Sequence, residues 1–300
     1  MTAPTVARIC GALLAVGLTL TGCQTADEPA PPPTEHKLAN WPEQLEGFRF
    51  RWTAEPGIDL VSGPAVPLRA YLESHRIGDM TADARDAYPG FARAVPHPGK
   101  PRDASRSDLP YELWNIQPGT EFPALTLMPV APHPFYGNEY FHILELTPTE
   151  NGAGYRAYVC DGRYNIFRDA ENTGTFEPLL PRGDSPDEEP AIRLWRVEFT
   201  DHPNPPVPDA PAAVTTPQKG PNPAPLSDVF GPWQITGANS IGSWGPRRSE
   251  HTYDGWKERE QQCRAKMPHD AAQRQAIYAS KLDTPPGPEP AVPGWPDDVA

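Results

Sequence analysis

Between Glu139 and Thr200 the chain carries short segments of strand-forming residues parted by turn residues, and any fold must accept them as a sheet. Tyr140 to Thr147 (YFHILELT) and Tyr155 to Cys160 (YRAYVC) read as strands around a turn at Pro148 to Gly154. Asp161-Gly162 then predicts a two-residue hairpin turn into Arg163 to Arg168 (RYNIFR), since an Asp-Gly pair suits the positive φ angles of such turns. Ile192 to Thr200 (IRLWRVEFT) adds a fourth strand. Neighbouring strands joined this way make an antiparallel meander. In that hairpin Cys160 faces Arg163, and Val159, Ala157, Tyr164 and Ile166 share one face. Cys160, Tyr158 and Phe167 share the other. Both faces are apolar, so both call for cover.

The covers are helical. Pro64 to Ile77 (PAVPLRAYLESHRI) predicts a helix with Pro67 in its first turn and Leu68, Tyr71, Leu72 and His75 on one face. Asp254 to Met267 (DGWKEREQQCRAKM) predicts another, stopped by Pro268, with Trp256, Cys263 and Met267 on one side. A third follows at about 270–282. Upstream, Phe48, Phe50 and Trp52 alternate with Arg49 and Arg51, the period of a half-buried strand. The fold class expected is α+β: an antiparallel meander with an early helix and C-terminal helices packed on it.

Proline, 42 of 300 residues, marks the boundaries. Residues 23–40 have almost no large apolar side chains and read as an extended tether. Residues 41–283 form one α+β domain, and 284–300 a Pro-rich tail. Asp201 to Pro225 holds nine prolines and reads as an interdomain linker or as a strap over one domain.

The amino end gives an address. MTAPTVARICGALLAVGLTLTGC places Arg8 before an apolar run from Ile9 to Leu20, and about 20 apolar residues are needed to cross a bilayer as a helix. The run suits a signal-peptide core, making 1–22 a signal peptide. Leu20-Thr21-Gly22-Cys23 resembles the lipobox of bacterial lipoproteins. The resemblance implies a diacylglycerol on the Cys23 thiol, Cys23 as first residue after cleavage, and residence on the outer face of the cell membrane. The Pro- and Arg-rich style is similar to that of actinobacterial lipoproteins. With Cys10 removed and Cys23 acylated, Cys160 and Cys263 remain, and an oxidising compartment favours their disulfide. Such a bond forces the Cys263 side of its helix onto the Cys160 face of the sheet. It also crosses residues 201–225, which favours the strap.

Chemistry is less legible. Without residues 1–22 the chain has 25 basic and 39 acidic residues, a balance of −14 that argues against nucleic acid as partner. No nucleophile elbow, phosphate loop, dinucleotide fingerprint or metal-ligand spacing is present, and no cofactor or metal is expected. An early amphipathic helix followed by a long meander is similar in layout to NTF2-like (cone-shaped α+β) domains, with VPLRAYLES as the opening helix. That resemblance implies a polar concave sheet face and places His142 near it. On a strand His142 points with Tyr140 and Leu144, and Glu145 points away unless the strand bulges. His142 therefore stands either as an acid/base group beside a carboxylate such as Glu139 or Asp161, or as a core-edge histidine with one hydrogen bond. Trp233 and Trp244, with Arg247 beside them, offer sugar stacking and anion pairing, or a loop-rich core. Arg182-Gly183-Asp184 spells an adhesion tripeptide that also arises by chance. Three functions fit: a lipid-anchored envelope protein that binds a cell-wall or lipid ligand or a partner without catalysis, an NTF2-like enzyme using His142, or a structural accessory.

Overall fold

The computed structural model describes residues 38–97, 109–118, 133–150, 152–169, 172–179, 191–206, 208–246 and 252–297. From Lys37 onward the chain forms one compact unit, so the Pro-rich stretch is no interdomain linker. The fold is α+β. Strands β1 (Phe48–Ala54), β2 (Phe135–Pro148), β3 (Tyr155–Gly162), β4 (Ile166–Asp169), β5 (Phe176–Pro178), β6 (Ile192–Thr200) and β7 (Gln234–Asn239) form one sheet. Helix α1 (Ala65–Thr81) covers one face, and α4 (Trp256–Lys266) and α5 (Ala271–Tyr278) the other. Two short helices, α2 (Phe91–Ala94) and α3 (Tyr111–Trp114), flank α1 and β7. Among the described residues no helix is long and apolar enough to cross a membrane.

β3 pairs antiparallel with β2 and β6, and β6 with β7, as the meander requires. β1 pairs parallel with β2, Trp52 opposite Phe141 and Thr53 opposite His142. The Asp161-Gly162 hairpin does not form. Both residues lie inside β3, Asp161 between Phe141 and Arg193, and β4 runs on along β2 in the same direction instead of folding back on β3. Gly162 has no positive φ, which a tight hairpin turn would need. Its missing side chain serves close packing, because a Cβ there would collide with the Met267 sulfur. Tyr164 consequently packs with Cys160 and Tyr158, not with Val159.

The alternation of β1 turns Phe48, Phe50 and Trp52 inward, and Trp52 stacks on Phe141 at 4.4 Å. With Leu68, Tyr71 and Leu72 of α1, and Val159, Trp195 and Val197, they make the main core. Each such side chain, fully buried, stabilises the fold by roughly 1.5–3 kcal/mol before entropy is counted. Every residue of α1 from Ala65 to Met80 is buried, its polar side included. The sheet covers one side, and the Pro-rich segments close the rest. Gln218 N–H donates to the Val61 carbonyl and Tyr88 Oη lies 3.0 Å from that of Pro223, so 201–225 acts as the strap.

The expected Pro-rich tail is a correction of a similar kind. Trp295 is 1% exposed and Val292 pairs with β1, so the domain continues through the tail. The second core joins Tyr140, Leu144, Tyr158 and Leu194 to Cys263 and Met267. Cys160 and Cys263 form a disulfide with Cα atoms 5.2 Å apart, 103 positions separated in sequence.

Candidate functional site

Three clusters of polar side chains stand out, one sealed and two open. The sealed one lies between α1 and the sheet. Helical spacing puts His75, Arg76 and Asp79 on one turn, and β2 and β3 aim Glu139 and Asp161 at it. Arg76 Nε donates to both Glu139 oxygens at 2.9 and 3.1 Å, and Arg76 Nη2 to Asp161 Oδ2 at 2.9 Å. Trp195 Nε1 donates to the same Asp161 oxygen at 3.1 Å. His75 Nδ1 lies 3.2 Å from Asp79 Oδ2, and its Nε2 2.9 Å from the Asn115 carbonyl. A carbonyl only accepts, so Nε2 carries a hydrogen. Burial pushes the Glu139 carboxyl well above the usual carboxylate range; Arg76 opposes the shift and Asp161 reinforces it. None of His75, Arg76, Asp79, Glu139 or Asp161 is more than 2% exposed, so no substrate reaches them in this conformation. Paired buried charges of this kind specify how a helix seats more than they add stability.

The first open cluster reaches solvent through Glu55 and Lys266 and has at its inner end a buried His142, 6% exposed. Its Nδ1 lies 2.8 Å from the Thr53 hydroxyl, its partner in register on β1, and its Nε2 lies 3.2 Å from Glu55 Oε1. Lys266, at the end of α4, pairs with the same Glu55 oxygen. Burial lowers the His142 pKa, and Glu55 partly restores it. Hydrogen bonds from Lys266 and then His142 hold Glu55 below its ordinary value. The carboxylate partner is thus Glu55, not Glu139 or Asp161, which face α1. β2 does bulge, with a register shift between Ile143 and Glu145. The bulge brings Glu145 onto the His142 face, where Arg259 of α4 holds it at 2.7 Å. An imidazole fixed between a hydroxyl and a carboxylate can accept or donate a proton.

The second open cluster is a cleft of about 560 Å³ where β3, β6 and β7 end, reached by Thr149, Arg156, Glu198, His202, Gln234 and Thr236 among others. Arg156 and Glu198 are cross-strand partners, and Arg156 Nε donates to Glu198 Oε1 at 2.7 Å. Arg196 Nη2 donates to that oxygen at 2.6 Å, while its guanidinium stacks 3.8 Å from the Trp244 ring. A bulge between Glu198 and Phe199 helps to open the cleft. No local motif marks it. The signal available was the opposite charge of Arg156 and Glu198, visible only once β3 is paired with β6.

Trp233 is no open platform: it packs into the core against Phe199 at 5.5 Å and Tyr155 at 5.8 Å. Trp244 is partly buried and carries Arg196 on its face. Cys23, Arg247 and the Arg182–Asp184 tripeptide lie outside the described residues. Among the described residues no three His, Cys, Asp or Glu side chains converge as a metal site. No protein-family model matches the chain, and no characterised protein or solved structure is found to resemble it.

Proposed function

We propose that this chain is a lipid-anchored module on the outer face of a cell membrane that binds a polar ligand or partner without transforming it. The observation that carries the reading is the contrast in access: the densest ionic cluster is sealed under α1, while the cleft beside Arg156 and Glu198 is open and lined by hydrogen-bonding groups. The lipobox ending at Cys23 and the tether after it supply the address. A cleft of this volume with mixed apolar and hydrogen-bonding walls suits a saccharide or peptide segment of the cell envelope. The test is titration of the soluble domain with purified cell-wall saccharide fragments and with phospholipid vesicles, followed by calorimetry and thermal shift. Saturable binding of one probe class, lost in Arg156→Ala at unchanged fold, is expected. Equal binding by Arg156→Ala, or none of either probe by the native domain, would sink the cleft as the binding surface. For the anchor, Cys23→Ala should release the protein from the membrane fraction.

A second reading rests on Thr53, His142 and Glu55. In it His142 performs acid/base chemistry, with Glu55 orienting the ring. Chromogenic ester and glycoside substrates test it. Turnover abolished by His142→Gln and weakened by Glu55→Gln supports the reading, and turnover indifferent to His142 removes it.

A further inference from the structure

The segment from Glu289 to Pro296 is bound by the domain as a peptide ligand is bound. It meets the free edge of β1 at Val292: Trp52 N–H donates to the Val292 carbonyl at 2.7 Å, and Val292 N–H to the Phe50 carbonyl at 3.4 Å. On its other side Trp295 exchanges both main-chain hydrogen bonds with Asn222 of the strap, at 2.9 and 3.1 Å. Arg69 Nη2 donates to the Gly294 carbonyl at 2.8 Å. Trp295 is the anchor. Its Nε1 donates to Glu73 Oε2 at 2.8 Å, Arg69 lies 4.2 Å over its ring, and the Tyr88 ring meets it edge-on at 5.9 Å. Edge-strand pairing, a buried aromatic anchor and flanking prolines are the recurring devices of peptide recognition.

The charged groups on the floor of this groove have partners besides its occupant. Glu73 accepts from Trp52 Nε1 and from Tyr88 Oη, each at 2.7 Å. Arg69 Nη1 donates to the carbonyls of Leu60 and Gln218 at 2.9 and 3.1 Å. With Trp295 withdrawn, both buried charges keep partners from the body of the domain. A groove already organised loses less on binding than one that must be built. The connection to α5 is detachable in kind: residues 283–285 and 287 are exposed.

The groove also selects. Gly294 has φ +65°, and a Cβ there would run into the Gly220 carbonyl. Gly220 is as constrained, since its own Cβ would run into the Trp295 carbonyl. Two main chains touch at this point, and only glycine at both positions permits it.

We infer that the groove between β1 and the strap is a recognition site for a Pro-Gly-Trp-Pro peptide, filled in cis by residues 289–296 and able to take the same segment in trans from a second copy of the chain. The inference is independent of the Arg156 cleft. It is tested on the full chain with a protease site inserted between Pro286 and Pro288. After cleavage, the released C-terminal fragment should stay with the domain through gel filtration. A labelled peptide of residues 286–297 should then displace it saturably. Peptides with Gly294→Ala or Trp295→Ala should bind about tenfold or more weaker. Loss of the native fold on cleavage, failure of the labelled peptide to exchange at large excess, or equal binding by the two variant peptides would each overturn the inference.

Discussion

The two faces of the sheet are closed by different means. Over one, α1 is buried on all sides, and its ionic groups find partners on β2 and β3. Over the other, α4 buries only Cys263 within its length, with Met267 just beyond. Among the described residues its further ties are the disulfide, two partly exposed ion pairs (Arg259 with Glu145 and Lys266 with Glu55), the Arg259 guanidinium 4.0 Å over the Tyr158 ring, and partly buried Trp256 against the second core. One layer is held by packing and matched charge, the other by a covalent bond. A helix as polar as α4 has too little apolar face to stay docked unaided.

The largest expected effect lies in the packed layer. Arg76→Met leaves Glu139 and Asp161 without their shared donor and should cost about 3–5 kcal/mol in urea unfolding. A loss below ~1 kcal/mol would mean that the network is not matched as described. Next comes the covalent layer. Replacing Cys160 and Cys263 together by Ser should cost roughly 2–4 kcal/mol. Its signature is local: amide exchange should rise across α4 and α5 while α1 keeps most of its protection. Equal loss in both layers would erase the distinction.

Smaller is a pH effect. Burial raises the Glu139 pKa, so the native state retains a proton that the unfolded chain releases above its ordinary value of 4.5. Stability contributed there is present at low pH and falls as pH rises through the folded value, by at most about 1.4 kcal/mol per pH unit. Glu73, raised by burial, acts in the same sense, and His142, lowered by burial, acts oppositely below 6.5. The difference between native chain and Glu139→Gln, measured as urea midpoints from pH 4.5 upward, isolates the Glu139 share. A variant with the native pH slope would remove Glu139 as its source. Smallest is Lys266→Ala, expected at 0–1 kcal/mol because both partners are partly solvated. A cost above about 2 kcal/mol would show that ion pairs, rather than the disulfide, seat α4.

Local patterns made much of the scaffold readable. The alternation of β1, the apolar stripe of α1, the strands at β2, β3 and β6, and the pairing of Cys160 with Cys263 all follow from period, propensity and the small number of cysteines. What failed was non-local. Asp161-Gly162 satisfies the local rule for a turn, but Arg76 and Trp195 take the Asp161 carboxylate into the core and the strand runs straight through. Residues 284–297 have the composition of a solvated tail, yet the partners of Trp295 lie on α1 and the strap, which no window on the tail displays. His142 was recognised as a candidate, but Glu55 became its partner only through the parallel register of β1 on β2. The Arg156 cleft needed the pairing of β3 with β6 and carried no motif to announce it.

The meeting of Glu73 with Trp295 spans 222 positions of the chain. At ~5–20 residues per second, that separation is about 10–40 seconds of synthesis. Through this interval a nascent chain has Arg69 and Glu73 but neither the strap nor, last of all, the tryptophan that cover them, so that side of α1 stays open to water and to stray segments.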